Sequence, residues 1–434
     1  MERFAYNTLL EWKAKKDRKP LILNGARQVG KTWLLKEFGK NEFESVAYIN
    51  CDEETSIKDV FYDFNIDRLI RTFSVISGVT IKPGRTLIIL DEIQEVPLGL
   101  TSLKYFCEEA PQYHIAVAGS LLGIGLHEGT GFPVGKVNEI NLYPLCFKEF
   151  LLALGNDNLV KNMEEHRWEE FAPVSDIYVE LLRQYYYVGG MPEVVKKYVE
   201  EQDVIKVREI QNQILADYRR DFSKHVPDKL LPKVNMVWDS IPGQLAKGNK
   251  KFIYSAVKKG GRAKEFENAI QWLVDAGLVY KVLRISKIEK PVKFYEDLDS
   301  FKLFILDLGL LGALSEVEAK DVLVKNNAII EYKGAFTEQY VLQELIVCGH
   351  KLYYYSRDTS NLEIDFVLQN SEIYPIEVKA EENLKSKSLR TVYESNNKVK
   401  PVRISMSNYR VQDWITNVPL YLAGEWFEKT SNII

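Results

Sequence analysis

Short apolar runs alternate with stretches of helical spacing over the first 155 residues. "PLILNG" (20–25) is too short for a helix and reads as a buried strand. "KTWLLKEFGK" (31–40) follows with helical spacing: Trp33 and Leu34, then Phe38. "RTLIILDEIQEV" (85–96) carries a second apolar run, Thr86 to Leu90, as a central parallel strand requires. "HIAVAGS" (114–120) supplies a third. This alternation predicts an α/β fold, a doubly wound parallel sheet with its ligand at the C-terminal edge of the strands.

Beyond this region the period becomes helical. "NLVKNMEEHRWEEFAPVSDIYVELLRQYYY" is amphipathic, and "YYVGGMPEVVKKYVE" (186–200) places a Gly-Gly turn before Pro192, which starts a helix. "EIQNQILADYRRDFSKH" is another helix. Residues 231–285 predict three helices running into the alternating strand "LVYKVLRI", with Gly277 capping the third helix, a winged-helix pattern. From Gly334 a helix, "GAFTEQYVLQELIVCG", precedes three strands in "KLYYYSRDTSNLEIDFVLQNSEIYPIEVKA". The expected organisation is a nucleotide-binding core (1–155), a helical segment (156–230), a winged-helix-like domain (231–290) and a C-terminal α/β domain (291–434).

At 434 residues the chain is too long for one hydrophobic core. Its net charge of −4 argues against a wholesale polyanion binder but leaves room for a local basic patch. Gly243 to Lys293 holds such a patch: 12 Lys or Arg against four acids, 12 − 4 = +8. That enrichment suits phosphate contacts, so DNA is one expected partner. A protein partner, or further copies of the chain, is the other. No apolar run reaches the length of a membrane span, and the start lacks the apolar stretch of a signal peptide, so no membrane association is expected. Cys51, Cys107, Cys146 and Cys348 are scattered with no CxxC pair, which fits reduced thiols and a cytoplasmic location.

The first chemical signal is Gly25-Ala26-Arg27-Gln28-Val29-Gly30-Lys31-Thr32, a full G-x-x-x-x-G-K-[ST] phosphate loop between a strand and a helix that opens with Trp33. Glycines allow backbone N–H groups to surround phosphate oxygens, and the helix N-terminus adds positive potential. Lys31 is expected on the β- and γ-phosphates, and Thr32 on Mg²⁺. Asp91, ending a strand, is expected to hold the Mg²⁺ shell, and Glu92 to orient the attacking water. ATP is favoured over GTP because no NKxD-like motif appears. Arg219 and Arg220 are candidates for an arginine supplied to a neighbouring subunit's phosphate.

The second signal is C-terminal. Glu363 and Asp365 alternate with apolar neighbours, so both project to one face, and Glu377 and Lys379 flank Val378. Asp…Glu-x-Lys is the pattern of the PD-(D/E)xK nuclease fold. Asp365 and Glu377, with Glu338 from the preceding helix, form an expected divalent-cation set, and Lys379 is placed to activate water. The alternative reading of the same residues is a plain ion-pair cluster.

Taken in order, "GARQVGKT", "LIILDEIQEV", "VAGS", "LYPLCFKEFL", "YYVGGMPEVV", "FKLFILDLGLL", "FTEQYVLQEL" and "EIDFVLQNSEIYPIEVK" resemble, over nearly the whole chain, the prokaryotic AAA-superfamily ATPases that carry a C-terminal domain of unknown function, number 4143. The resemblance implies an AAA-type core and a restriction-nuclease-like C-terminal domain. It places ATP on Gly30, Lys31 and Thr32, magnesium on Asp91 and catalysis on Glu92, and makes Ser120, at its strand end, the sensor candidate. Three positions depart from the family: "CFKEF" carries Cys146 and Lys148 where a "SFREF"-like run is common, and Lys136 stands where arginine is frequent. The expected activity is Mg²⁺-dependent ATP hydrolysis driving conformational change. The alternatives are an ATP-gated nuclease using Asp365, Glu377 and Lys379, and a non-catalytic ATP-dependent switch read by a protein partner.

Overall fold

The computed structural model describes residues 1–57, 60–96, 98–119, 131–247, 250–323, 330–358, 360–380 and 385–431. They form two compact units, Met1–Tyr143 with Trp272–Leu278, and Pro144–Gln271 with Val279–Ile434.

In the first unit five strands form one parallel sheet in the order β2-β3-β4-β1-β5: β1 Leu21–Asn24, β2 Ser45–Asn50, β3 Thr86–Asp91, β4 His114–Ala118 and β5 Asn138–Asn141. The predicted strands at 20–25, 85–96 and 114–120 are β1, β3 and β4. β3 is buried along its whole length, which explains its unbroken apolar run. Helices Lys31–Glu42, Ile66–Ser77 and Gly99–Glu109 connect the strands. The helix Ile66–Ser77 is capped at its start by the Asn65 side chain, which accepts from the Arg68 N–H, and ends at Gly78 in the left-handed conformation. Its buried Leu69, Ile70 and Phe73 join Ile49, Ile88, Leu90, Leu103 and Phe106 in a single core. That core fixes the strand ends from which the candidate site is built.

The second unit contains a mixed eight-stranded sheet in the order β12-β13-β11-β10-β9-β8-β6-β7. Its strands are β6 Val279–Ile285, β7 Glu296–Ile305, β8 Leu352–Ser356, β9 Glu363–Gln369, β10 Ile373–Val378, β11 Val402–Ser405, β12 Arg410–Val411 and β13 Thr416–Pro419. The three strands expected after Gly334 are β8, β9 and β10, and "LVYKVLRI" is β6. The three helices expected before β6 are Leu231–Leu245, the single turn Tyr254–Val257, and Ala263–Asp275. β6 pairs antiparallel with β7 and parallel with β8. The expected boundary near residue 290 therefore falls inside a connection within one sheet.

The glycine-rich signatures of this unit meet at a buried acid. Asp307 accepts from the Gly190 N–H (2.6 Å) and the Leu310 N–H (2.9 Å). Gly190 also exchanges contacts with Leu145, whose N–H donates to the Gly190 carbonyl at 2.7 Å. A Cβ on Gly190 would lie 2.1 Å from the Leu145 carbonyl oxygen. "LYPLCF", "YYVGGMP" and "LDLGLL" are thus parts of one clasp, in which close backbone approach requires glycine.

Candidate functional site

The phosphate loop joins β1 to the helix Lys31–Glu42. Gly25 (φ 150°) and Gly30 (φ 94°) take conformations that other residues avoid. A Cβ at Gly25 would meet the Leu142 carbonyl oxygen at 2.3 Å, so glycine is required there on contact grounds as well. Gln28 also has positive φ, at 67°. Ala26 and Val29 pack into the unit, while Arg27 and Trp33 are exposed.

Lys31 is buried, and its Nζ donates to the carbonyls of Gly25 and Ala26, both at 2.8 Å. Burial pushes its ammonium down to about 8, against the opposing pull of Glu92 and Asp91. A phosphate arriving at the loop would replace two neutral carbonyls with a full negative charge. Thr32 Oγ1 donates to Asp91 Oδ2 at 2.6 Å, bringing the loop's hydroxyl to the end of β3. Both side chains offer oxygen atoms, a hydroxyl's and a carboxylate's, which is the donor chemistry that suits Mg²⁺.

Glu92 follows Asp91 in a left-handed conformation (φ 51°) that glycine, asparagine or aspartate would adopt more readily. A strained residue directly after the Mg²⁺ candidate points to a constraint on where its carboxylate must sit. The Gln94 amide donates to Glu92 Oε2 at 2.6 Å. Two residues of this site had no motif to reveal them. Tyr48 donates its hydroxyl to Asp91 Oδ2 at 3.1 Å, and Lys36 lies 3.4 Å from the Tyr48 ring centroid. Gln94 is the other. The available signal was positional: β2 pairs with β3 in parallel, with Asn50 opposite Asp91, so alternate residues of β2 face the site. Ser120 lies outside the described residues.

The structure divides the C-terminal candidates. Glu338 and Asp365 lie close enough for each to act on the other's charge. Asp365 Oδ2 accepts from the Val378 N–H at 2.8 Å. Burial, then the charge of Glu338, raises the Asp365 carboxyl above its ordinary range. Glu377 instead pairs with Lys379 at 2.8 Å and sits opposite Arg403 in the β10–β11 register. Two lysines outside the expected set join Glu338 and Asp365: Lys250 bonds to Glu338, and the fully buried Lys302 lies 2.7 Å from Glu363 and 3.8 Å from Glu338. Among the described residues no group of three or more His, Cys, Asp or Glu is arranged to hold a metal ion.

Other charged candidates are engaged within their own units. Arg219 bonds to Asp239 and Arg220 to Asp217, Lys136 pairs with Glu108, and Lys148 is buried against Glu425 and Glu428. In the basic segment, Lys250 and Arg284 are spent on carboxylates of the second unit. No described helix is long and apolar enough to cross a membrane.

A parallel five-stranded sheet, a phosphate loop and a strand ending in adjacent acids define a P-loop nucleotide-binding domain. Residues 17–151 match the family described as "AAA domain", 179–321 a domain of unknown function, DUF8612, and 333–422 the domain of unknown function DUF4143. The chain thus carries an AAA-type P-loop domain followed by a DUF4143 segment. No curated protein sequence matches it significantly. Among solved structures it is similar to the Walker-type ATPase PABY2304 of Pyrococcus abyssi, at 14% identity over 72% of this chain and 95% of that one (TM-score 0.44). It is also similar to the Aeropyrum pernix ORC1 protein solved in complex with DNA, at 15% identity over 72% and 90% (TM-score 0.28). The Thermotoga maritima RuvB Holliday junction branch migration motor matches at 13% identity over 64% and 89% (TM-score 0.31). These values are too low to transfer a substrate or partner.

Proposed function

We propose that the protein is an ATPase that binds ATP with Mg²⁺ at the phosphate loop and hydrolyses it to drive conformational change. The observation that carries this reading is the junction of Thr32, Asp91 and Glu92 beside Lys31, four groups with separate roles in phosphoryl transfer. Lys31 exchanges its two carbonyl partners for the β- and γ-phosphate oxygens. Thr32 and Asp91 would hold Mg²⁺, which would supply positive charge against the negative charge of the transferred phosphoryl group. Glu92, oriented by the Gln94 amide, accepts a proton from the attacking water. Gly25 to Trp33 form the binding loop, and Ser120 is the candidate sensor of the γ-phosphate. The protein is read as cytoplasmic.

The acceptor of the conformational work is read as DNA, on the strength of the +8 segment between Gly243 and Lys293. Calorimetry with ATP and Mg²⁺, together with steady-state turnover with and without duplex DNA, tests both parts. Lys31→Ala should abolish ATP binding, and DNA should change wild-type turnover in a salt-dependent way. Wild-type ATP affinity in a folded Lys31→Ala protein would refute the nucleotide site. Turnover insensitive to DNA would remove the DNA reading and leave a protein partner or a second copy of the chain as the acceptor.

A further inference from the structure

The carboxylate cluster of the second unit already contains cations. Lys302, on β7, has no solvent-exposed surface. Its Nζ lies 2.7 Å from Glu363 Oε1 and 3.8 Å from Glu338 Oε2, and 4.9 Å from the centroid of the Tyr354 ring on β8. The contact with Glu363 is an ion pair without the angle of a directed hydrogen bond, since Nζ has no hydrogen-bond partner. Lys250, arriving from the segment after the helix Leu231–Leu245, bonds to the other Glu338 oxygen, Oε1.

Three carboxylates (Glu338, Glu363 and Asp365) already face two ammonium groups, those of Lys250 and Lys302. A divalent cation held by the same oxygens would add two positive charges to a group that already holds two. It would also stand within a few ångströms of an ammonium that cannot leave, and like charges at that separation in a low-dielectric setting repel strongly.

We propose that the Lys302 ammonium is the resident cation of this cluster and closes it to divalent metal ions, so that the Asp…Glu-x-Lys pattern here does not form a metal-dependent nuclease site. The third expected acid, Glu377, is engaged by Lys379 at 2.8 Å, and its strand neighbour in register is Arg403. Lysine does by a covalent tether what a metal would do by coordination: it holds Glu338, on a helix, and Glu363, on a strand, against their mutual repulsion. The Glu363 side chain keeps 26% of its surface exposed, so removing the ammonium would leave a carboxylate that a hydrated ion can reach.

The test is a titration of the full-length protein with Mn²⁺ in the absence of nucleotide, followed by electron paramagnetic resonance. Wild-type protein should hold no Mn²⁺ that Asp365→Asn or Glu338→Gln removes. Lys302→Met keeps the side-chain length and deletes the charge. It should gain one Mn²⁺ per chain, with a rise in Tm on adding the ion, and Lys302→Met/Asp365→Asn should lose both. Wild-type protein that binds a nucleotide-independent Mn²⁺ abolished by Asp365→Asn overturns the proposal. So does a folded Lys302→Met protein that gains none. If Lys302→Met does not fold, the wild-type count decides alone. Because ATP is left out, failure of this proposal is distinct from failure of the phosphate-loop reading.

Discussion

Thr32 and Asp91 lie 59 positions apart in the chain, and their side chains share a 2.6 Å hydrogen bond. The phosphate loop and the end of β3 are therefore in register before any nucleotide arrives. An ion placed between them finds its protein oxygens already assembled, and little ordering remains to oppose binding. Thr32→Val keeps the shape and removes the hydroxyl. Its turnover at saturating ATP should fall by about 100-fold, the scale for losing one preorganised contact to developing charge. Asp91→Asn should fall at least as far. Turnover measured across a Mg²⁺ series checks this: raising Mg²⁺ should restore part of the Thr32→Val rate. A Thr32→Val protein with wild-type turnover would remove Thr32 from the ion's shell.

Glu92 has a different role and should fail differently. Its backbone is held at positive φ, and its carboxylate is held by Gln94, so its position is set by the chain rather than by the ligand. Glu92→Gln keeps the size and the hydrogen bond to Gln94 while deleting the base. Turnover should fall by about 10²- to 10⁴-fold, the span of general-base contributions. ATP affinity should stay within about threefold, since a base that acts on water contributes little to ground-state binding. Single-turnover hydrolysis alongside equilibrium binding separates the two. Loss of both together would make Glu92 a binding residue.

The nucleotide site was legible because its information is local. Eight consecutive residues fix the loop, and an apolar run ending in Asp91-Glu92 announces the strand that meets it. Tyr48 was missed because nothing within its strand marks it; only the β2–β3 pairing carries it to Asp91. The C-terminal cluster was half legible for the same reason. Asp365, Glu377 and Lys379 lie within 15 residues and were read as one site. Lys302 and Lys250, which decide the electrostatics, come from segments more than 60 residues upstream. Alternation along β9 predicts that Glu363 and Asp365 share a face, but not which charge stands opposite them.

The clasp around Gly190 predicts a sharp contrast between two glycines of the same unit. A methyl group on Gly190 would be driven into the Leu145 carbonyl oxygen, 2.1 Å away, and would disturb the 2.6 Å bond to Asp307. The atoms that the methyl would meet all belong to the Leu145 backbone, so the backbone must shift. Gly190→Ala should cost about 1–3 kcal/mol and lower Tm by several degrees. Gly243, inside the helix Leu231–Leu245, meets nothing within 4 Å. Gly243→Ala should stabilise by about 0.5–1 kcal/mol through helix propensity. Thermal unfolding of the two variants against wild type checks both signs.

Glu344 makes the last prediction, one of pH. It is buried, and its Oε1 accepts from the Phe147 N–H at 2.9 Å, which caps the helix Phe147–Ala153. Burial pushes its carboxyl up to about 8; the Phe147 N–H opposes this, Glu149 adds to it, and Lys148 opposes it. Glu344 is therefore protonated in the folded chain at neutral pH, while in the unfolded chain it ionises near the usual carboxylate value. A group with a raised folded value stabilises fully at low pH, and that contribution is lost as pH rises towards 8. The loss amounts to about 1.4 kcal/mol per pH unit at most. Glu344→Gln supplies a neutral acceptor of the same length and should lack this component. Urea denaturation at pH 6, 7.5 and 9 should show wild type losing stability relative to Glu344→Gln between pH 6 and 7.5, and a smaller further loss by pH 9 as the folded carboxyl finishes ionising. A difference between the two proteins that does not vary with pH would mean that Glu344 is ionised in the folded state, with Lys148 as its counter-charge.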